Sequence, residues 1–457
     1  MKNFAIILAA GSGTRFGGDL PKQFTKLAGR MIIEHTVDVF HDAPRIDEIH
    51  IVTQDEHIAQ VWDLIKSNGW TKVTKVVHGG NTRMDSTRSA LQALAQEPPD
   101  SKVLFHDAVR PLVDGRIIDD CLNALDQFDA VDVVIPSADT LVRVADDESI
   151  DNIPNRTSMR RGQTPQAFKL DCIQAAYQKA AQQRRDSFTC DCGVVRATLP
   201  NVKIMTVQGS EKNVKVTQPI DLFLAEKLLQ AGLDVDPSDD PGTGKISGKN
   251  LVIFGGASGI GLEIKHVALA VGARVEVASR RFNGVDIRKL ADVRAFLDTA
   301  RARLGQIDYI VNTAGFLIKK PIDWLEESEI SELIDTNYTG AINVAIAAKP
   351  HLLLSKGMLL NFTSSSYTRG RPLYTIYSSA NAAIVNLTQG LAAEWAPDGI
   401  RVNCINPERT NTPMRQANFG IEPPELLLDA ETVARASIRT LTSHLTGAIV
   451  DVRKDGR

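Results

Sequence analysis

Apolar and polar positions follow two alternating rhythms along the chain. Short continuous apolar runs, FAIILAA, EIHIVTQ, KVLFHDAV, DVVIPSA and KIMTVQG, read as buried parallel strands, because strands covered on both faces have no polar face to show. Between them lie amphipathic stretches such as IIEHTVDVFHDA and STRSALQALAQE, with apolar residues at helical spacing. This alternation predicts an α/β fold, closed by a helix over IDLFLAEKLLQAG. The rhythm then stops at LDVDPSDDPGTGKISGKN, whose Asp, Pro, Gly and Ser predict a linker. It restarts with NLVIFGGASGIG, ARVEVASRR, IDYIVNTAG, MLLNFTSSS and IRVNCINPE. Two doubly wound, Rossmann-like domains in tandem are expected: residues 1–232, a linker at 233–248, and residues 249–457. Their glycine patterns differ, so neither repeats the other.

Composition narrows the function more than the fold. At 457 residues the chain exceeds one ordinary core. A net charge of -3 offers no long-range attraction for nucleic acid or an anionic membrane, which favours small substrates. No run approaches the roughly 20 apolar residues that span a bilayer. FAIILAA passes straight into GSGTR rather than a cleavage site, so it reads as a first strand, not a signal peptide. Five cysteines, two of them in TCDC at a spacing unsuited to zinc or redox motifs, point to buried thiols in a reducing compartment, the cytoplasm.

The first chemistry lies in LAAGSGTRFGGDLPKQF, where a strand opens into small residues followed by Arg15 and Lys22. Glycines let backbone N–H groups approach phosphate oxygens, and fixed cations neutralise charge building on a transferring phosphorus. The spacing is neither a Walker loop nor a dinucleotide fingerprint. Further segments, GGNTRMDST, FHDAVRP, RRGQTPQAF and EKNVKVTQP, follow, and strand ends are where open parallel sheets bind ligands.

In that order these segments resemble the methylerythritol-phosphate cytidylyltransferases and their relatives, the ribitol-5-phosphate cytidylyltransferases. The resemblance implies that Ala9, Ala10, Gly11, Gly80, Asn81, Arg83 and Ser86 hold CTP, and that Arg15, Lys22 and Lys215 stabilise the pentacoordinate phosphorus. It implies further that Asp107, Ala108, Arg110, Thr140 and Arg156 serve the polyol phosphate, the last two often across a homodimer. A phosphate monoester is already an anion at neutral pH, so its attack on CTP needs cations and Mg²⁺ rather than a general base. Asp107 is open to three roles, Mg²⁺ ligand, partner of a polyol hydroxyl or purely structural carboxylate.

In the second half VIFGGASGIG carries Gly255, Ser258, Gly259, Ile260 and Gly261, and resembles the fingerprint of the short-chain dehydrogenase/reductases. That resemblance extends to Asn312, Ala314 and Gly315 in VNTAG, to Asn337 as holder of a water relay, and to Ser364 thirteen residues before Tyr377. It also covers Thr412 over the nicotinamide and Asp286 at the adenine. Ser279, Arg280 and Arg281 stand where a carboxylate would select NAD, and two guanidiniums suit the 2′-phosphate of NADPH.

Tyr377 would be the proton donor, but Asn381 occupies the place of the family's lysine. A cation ~4 Å away is worth at most ~4 kcal/mol at an effective dielectric of 20, so losing it costs up to ~10³ in rate. Lys319 and Lys320 are the sequence's candidates to replace it. Arg369, Arg371 and Arg409, near Ser364 and Tyr377 in sequence, suggest an anionic substrate group. A reductase joined to a polyol-phosphate cytidylyltransferase implies that one domain makes what the other consumes: ribulose 5-phosphate reduced to ribitol 5-phosphate, then CDP-ribitol for capsule or teichoic-type polymer synthesis. Three alternatives stand beside it: methylerythritol phosphate as the substrate with the second half an oligomerisation module, a non-catalytic NADP(H) sensor, and arabinitol or another pentitol.

Overall fold

The computed structural model describes residues 2–11, 21–185, 188–231 and 246–454. Arg15 and most of the expected linker lie outside the described residues. The chain divides into two compact units, Met1–Leu228 and Leu229–Arg457.

The first unit is built on seven strands: β1 (Asn3–Leu8), β2 (Glu48–Thr53), β3 (Val73–His78), β4 (Lys102–Asp107), β5 (Ala130–Pro136), β6 (Arg160–Lys169) and β7 (Ile204–Gln208), in the order β7-β5-β6-β4-β1-β2-β3. Successive residues of a strand face opposite sides. Ile7, Ile51, Leu104 and Val133 accordingly fill one layer of core, while Phe4, Ile6, Phe105 and Phe168 fill the other. The five strands read from the sequence run parallel, whereas β6, not read there, runs antiparallel to β4 and β5. RRGQTPQAF did not read as a strand because its first residues are polar and exposed and its proline cannot donate to a ladder. The pairing is shifted between Gly162 and Gln166, on either side of Pro165. In the register of β1 with β4, Leu8 stands opposite Asp107, so the loop after β1 emerges beside that carboxylate.

The second unit holds six parallel strands, β8 (Asn250–Phe254), β9 (Arg274–Ala278), β10 (Tyr309–Asn312), β11 (Met358–Phe362), β12 (Arg401–Pro407) and β13 (Ile449–Val452), ordered β9-β8-β10-β11-β12-β13. Phe254 pairs with Ala278 and Asn312, and Asn312 with Asn361. Four strands thus end level, and the loops opening at Gly255, Ser279, Thr313 and Thr363 meet at one edge of the sheet. Among the described residues no helix is long and apolar enough to cross a membrane.

Candidate functional site

In the first unit, side chains at the strand ends hold the two glycine-bearing loops together. Gln23 Nε2 donates to the carbonyl of Ala9 at 2.6 Å, and Gln54 Nε2 donates to those of Ala10 and Gly80 at 2.9 and 3.2 Å. Residue 80 must be glycine here, because a Cβ would lie 2.1 Å from that of Asp85. Thr82 caps the helix Arg83–Ala93 in a reciprocal pairing with Asp85. Ser86 is buried and its hydroxyl accepts the Gly80 N–H at 3.3 Å, whereas Asn81 is exposed.

Asp107 is the electrostatic centre. Its carboxylate lies 2.8 Å from Lys215 Nζ, 3.5 Å from Arg83 Nε and 3.8 Å from Arg110 Nε. Burial would raise its pKa, but these cations outweigh it and hold the group far below the ordinary carboxylate range. The two arginines are also anchored elsewhere. Arg110 donates to the Asn213 carbonyl at 2.7 Å, and Arg83 donates to the fully buried Asp191 at 2.7 Å. Asp191 also accepts from Thr87 and Tyr177, at 3.0 and 2.6 Å. Nearby, the Asp221 carboxylate accepts from Thr217, two residues after Lys215, and these hydrogen bonds together with the charge of Lys22 hold it below its ordinary range against burial.

The residues expected from sequence therefore divide. Ala108 is buried with its carbonyl accepting the Thr36 hydroxyl at 2.8 Å, so it shapes the strand end. Thr140 and Arg156 stay outside the cluster. Both are exposed, next to a hairpin of Arg143–Val144 with Ile150–Asn152, and Arg156 donates to the Ala138 carbonyl at 3.0 Å. The carboxylate of Asp107, a candidate Mg²⁺ ligand, is enclosed here by three cations, a setting that suits a dication poorly. Gln54 and Asp191 were missed, the latter because TCDC drew the reading to its cysteines.

In the second unit the level strand ends enclose a cavity of about 1070 Å³. Gly255, with φ +80°, lies where a Cβ would meet the Ala314 backbone N at 2.7 Å, and a Cβ at Gly261 would meet Thr313 Oγ1 at 2.4 Å. The glycine loop thus sits tight on VNTAG, leaving its outer face to a ligand. Ser258, Gly259, Ile260, Ala314, Gly315, Asn312 and Thr412 line the cavity, and the buried Oδ1 of Asn312 has no hydrogen-bond partner within the protein. Thr412 caps the helix Pro413–Phe419 and Ser279 the short helix Arg280–Asn283. Arg280 pairs with Glu332 at 3.0 Å, while Arg281 lies exposed on the same rim. Asp286 lines the cavity too, but its carboxylate is taken by Arg288 at 2.6 Å. An orphaned polar atom and a close-packed glycine cradle fit a dinucleotide cofactor.

Ser364, Tyr377 and Asn381 line one wall of this cavity. The Tyr377 hydroxyl is enclosed and its pKa is raised, by burial above all, against the lowering influence of the Ser364 and Asn381 side chains. Among the described residues no cation enters that balance. The two candidate substitutes for the lysine are corrected: Lys320 donates to Glu329 at 2.6 Å, and Lys319 lies over the Phe419 ring at 4.6 Å. Asn337 lies in a π-turn, accepts the Phe316 N–H at 2.8 Å, and donates to the carbonyls of Phe316 and Leu333 at 2.7 and 2.9 Å. With both amide hydrogens used, its side chain positions the loop instead of donating to a water. Arg371 and Arg409 line the cavity, and Arg369 is not among its lining residues. Arg415 and Glu422, unremarked in the sequence, are.

These folds and sites define a nucleotidyltransferase followed by a dinucleotide-dependent oxidoreductase. Residues 4–231 match the family model of 2-C-methyl-D-erythritol 4-phosphate cytidylyltransferase, and residues 249–420 that of short chain dehydrogenase. A bifunctional ribulose 5-phosphate reductase/CDP-ribitol pyrophosphorylase of Haemophilus influenzae is 46% identical over 99% of this chain and 96% of its own. The chain belongs to that bifunctional family. Over its first half it is also 41% identical to a 2-C-methyl-D-erythritol 4-phosphate cytidylyltransferase of Thermobifida fusca, over 50% of this chain and 94% of that one. A ribitol-5-phosphate cytidylyltransferase of Lactiplantibacillus plantarum is 36% identical, over 50% and 98%.

Proposed function

We propose that the second domain reduces ribulose 5-phosphate to ribitol 5-phosphate with NADPH, and that the first transfers CMP from CTP to that product, giving CDP-ribitol and pyrophosphate. The observation that carries this reading is likeness, through both domains of one chain, to an enzyme named for both reactions. The geometry supports each half.

In the first domain a phosphate oxygen of ribitol 5-phosphate attacks the α-phosphorus of CTP and pyrophosphate departs. Backbone N–H groups after β1 and around Gly80 receive the nucleotide, with Lys22, Lys215 and Arg15 offsetting the charge of the transition state. Lys215 is held ready by Asp107 and exchanges that carboxylate for phosphate oxygens when substrate arrives. Mg²⁺ belongs in this reading with the CTP phosphates and not with Asp107.

In the second domain NADPH, when bound, would supply the hydride for the ketone carbon. Tyr377 gives its proton to the carbonyl oxygen, and Ser364 hydrogen-bonds that same oxygen. A donor tyrosine must be protonated, and burial keeps it so. Asn312 and the glycine loop hold the dinucleotide, and Arg281 meets its 2′-phosphate.

The reading includes a homodimer, supported by the hairpin arm, which exposes Val142, Val144, Ile150 and Ile153 at 51, 57, 61 and 56%. Such an arm would carry Thr140 and Arg156 to a partner's polyol phosphate. All five cysteines are free, in keeping with a cytoplasmic enzyme. A second reading, a reductase domain that senses NADP(H) without turnover, is favoured by one observation: among the described residues no cation acts on the Tyr377 phenol.

The deciding assay follows NADPH absorbance with ribulose 5-phosphate, and then pyrophosphate release with CTP and ribitol 5-phosphate or methylerythritol phosphate. Turnover in both, with ribitol 5-phosphate preferred, is expected. A silent natural chain together with an active Asn381→Lys variant would establish the sensor instead.

A further inference from the structure

Behind Tyr377 the cavity wall continues as a row of aromatic rings that ends in positive charge. Tyr377 stands edge-on to Tyr374 at 6.3 Å between ring centroids, and Tyr374 edge-on to Phe419 at 5.9 Å. Two cations lie against Phe419: the Arg415 guanidinium at 4.5 Å from its centroid and Lys319 Nζ at 4.6 Å. Arg415 grips Glu422 with two parallel bonds, Nε to Oε2 at 2.6 Å and Nη2 to Oε1 at 2.8 Å. Arg409, Arg415 and Glu422 all line the cavity that contains Tyr377. The charges of Arg415, Arg409 and Lys319 together hold the Glu422 carboxyl below its ordinary range, against burial.

We propose that Arg415, Arg409 and Lys319 form the phosphate-binding end of the reductase pocket, and that Glu422 is a resident carboxylate which a phosphate monoester displaces. The inference rests on the reductase reading above and names the residues that would make it selective for a phosphorylated ketose. A guanidinium fork matches carboxylate and phosphate alike. Near neutral pH the monoester carries close to two charges against the single charge of Glu422, so exchange favours substrate while an uncharged sugar leaves the pair intact. Glu408, the other carboxylate on this wall, already accepts the Lys454 N–H at 3.1 Å. Of the arginines suggested by sequence, Arg409 acts on Glu422, and Arg371 lines the same cavity.

The bland alternative is that Arg415 and Glu422 only staple their loop. Their side chains are 18 and 21% exposed, so the pair is largely buried yet still open to the cavity it lines.

The test uses the full chain with NADPH bound and inorganic phosphate as the probe, read by nicotinamide fluorescence. A Lys215→Ala, Tyr377→Phe background suppresses phosphate binding in the first domain and turnover in the second. Arg415→Ala is expected to weaken phosphate binding at least tenfold, about the worth of one charge-assisted hydrogen bond. Glu422→Gln should tighten it severalfold, and NADPH affinity in either variant reports that the domain is still folded. With Tyr377 restored, Arg415→Ala should raise KM for ribulose 5-phosphate by ~10–100-fold with kcat nearly unchanged. Unchanged phosphate binding in Arg415→Ala, weaker binding in Glu422→Gln, or loss confined to Arg371→Ala would each overturn the proposal. Phosphate binding that depends on Arg415 in a chain that never oxidises NADPH would leave the site standing and remove the reductase reading.

Discussion

Asn381 Nδ2 donates to the backbone carbonyl of Tyr377 at 2.8 Å, one helical turn away. The residue standing where a cation is expected is thereby turned into a strut of the helix Thr375–Trp395. Its side chain still tempers the phenol, but it brings no positive charge.

The pH profile follows from this. Reduction needs the protonated phenol, a form fully present below the folded pKa and lost as pH rises through it. Because burial raises that pKa above the ordinary phenol value near 10, ketone reduction should show no alkaline fall attributable to Tyr377 up to about pH 10. Asn381→Lys should bring the alkaline limb to lower pH, measured as kcat against pH. An unchanged limb in that variant would remove the role assigned to position 381.

Lys215 is half-exposed and paired to Asp107, so it is free to move onto a phosphate. Lys215→Ala should reduce kcat for pyrophosphate release by ~10²–10³ and leave NADPH oxidation intact. A loss shared by both activities would indicate misfolding instead.

Asp107 links pH to stability. Its folded pKa is depressed, so its contribution is complete above the unfolded carboxylate value near 4 and disappears as pH falls from there towards the much lower folded value. Melting of the first domain should show this acid dependence in the natural chain and a weaker one in Asp107→Asn. At neutral pH the variant should be destabilised by about 3–5 kcal/mol, because three cations lose their shared partner.

Arg281 is assigned the 2′-phosphate. Arg281→Ala should narrow the preference for NADPH over NADH by ~10–100-fold, whereas Arg280→Ala, which removes a partner of Glu332, should change it less. Steady-state kinetics with both cofactors distinguishes them.

What could be read beforehand depended on how local the signal was. β8 and the glycine loop after it were legible because a buried strand and a tight turn each write their own residues. β3 and β13 were not picked out: one is half exposed and carries Thr and Lys, and the other is short with Asp451 interrupting its apolar run. Arg83 was visible as part of a phosphate motif, but its anchor Asp191 lies 108 positions away and carries no pattern of its own.

Periodicity, glycine spacing and family motifs, all properties of neighbouring residues, determined two α/β domains, two nucleotide sites and the missing lysine. Tertiary structure alone decided that β6 is reversed, that Asp107 gathers three cations, and that Arg415 and Glu422 pair on the wall of the cavity that holds Tyr377. The reason is physical. Charges meet through space, and which ones meet is set by strand register and loop closure, which no stretch of sequence specifies by itself.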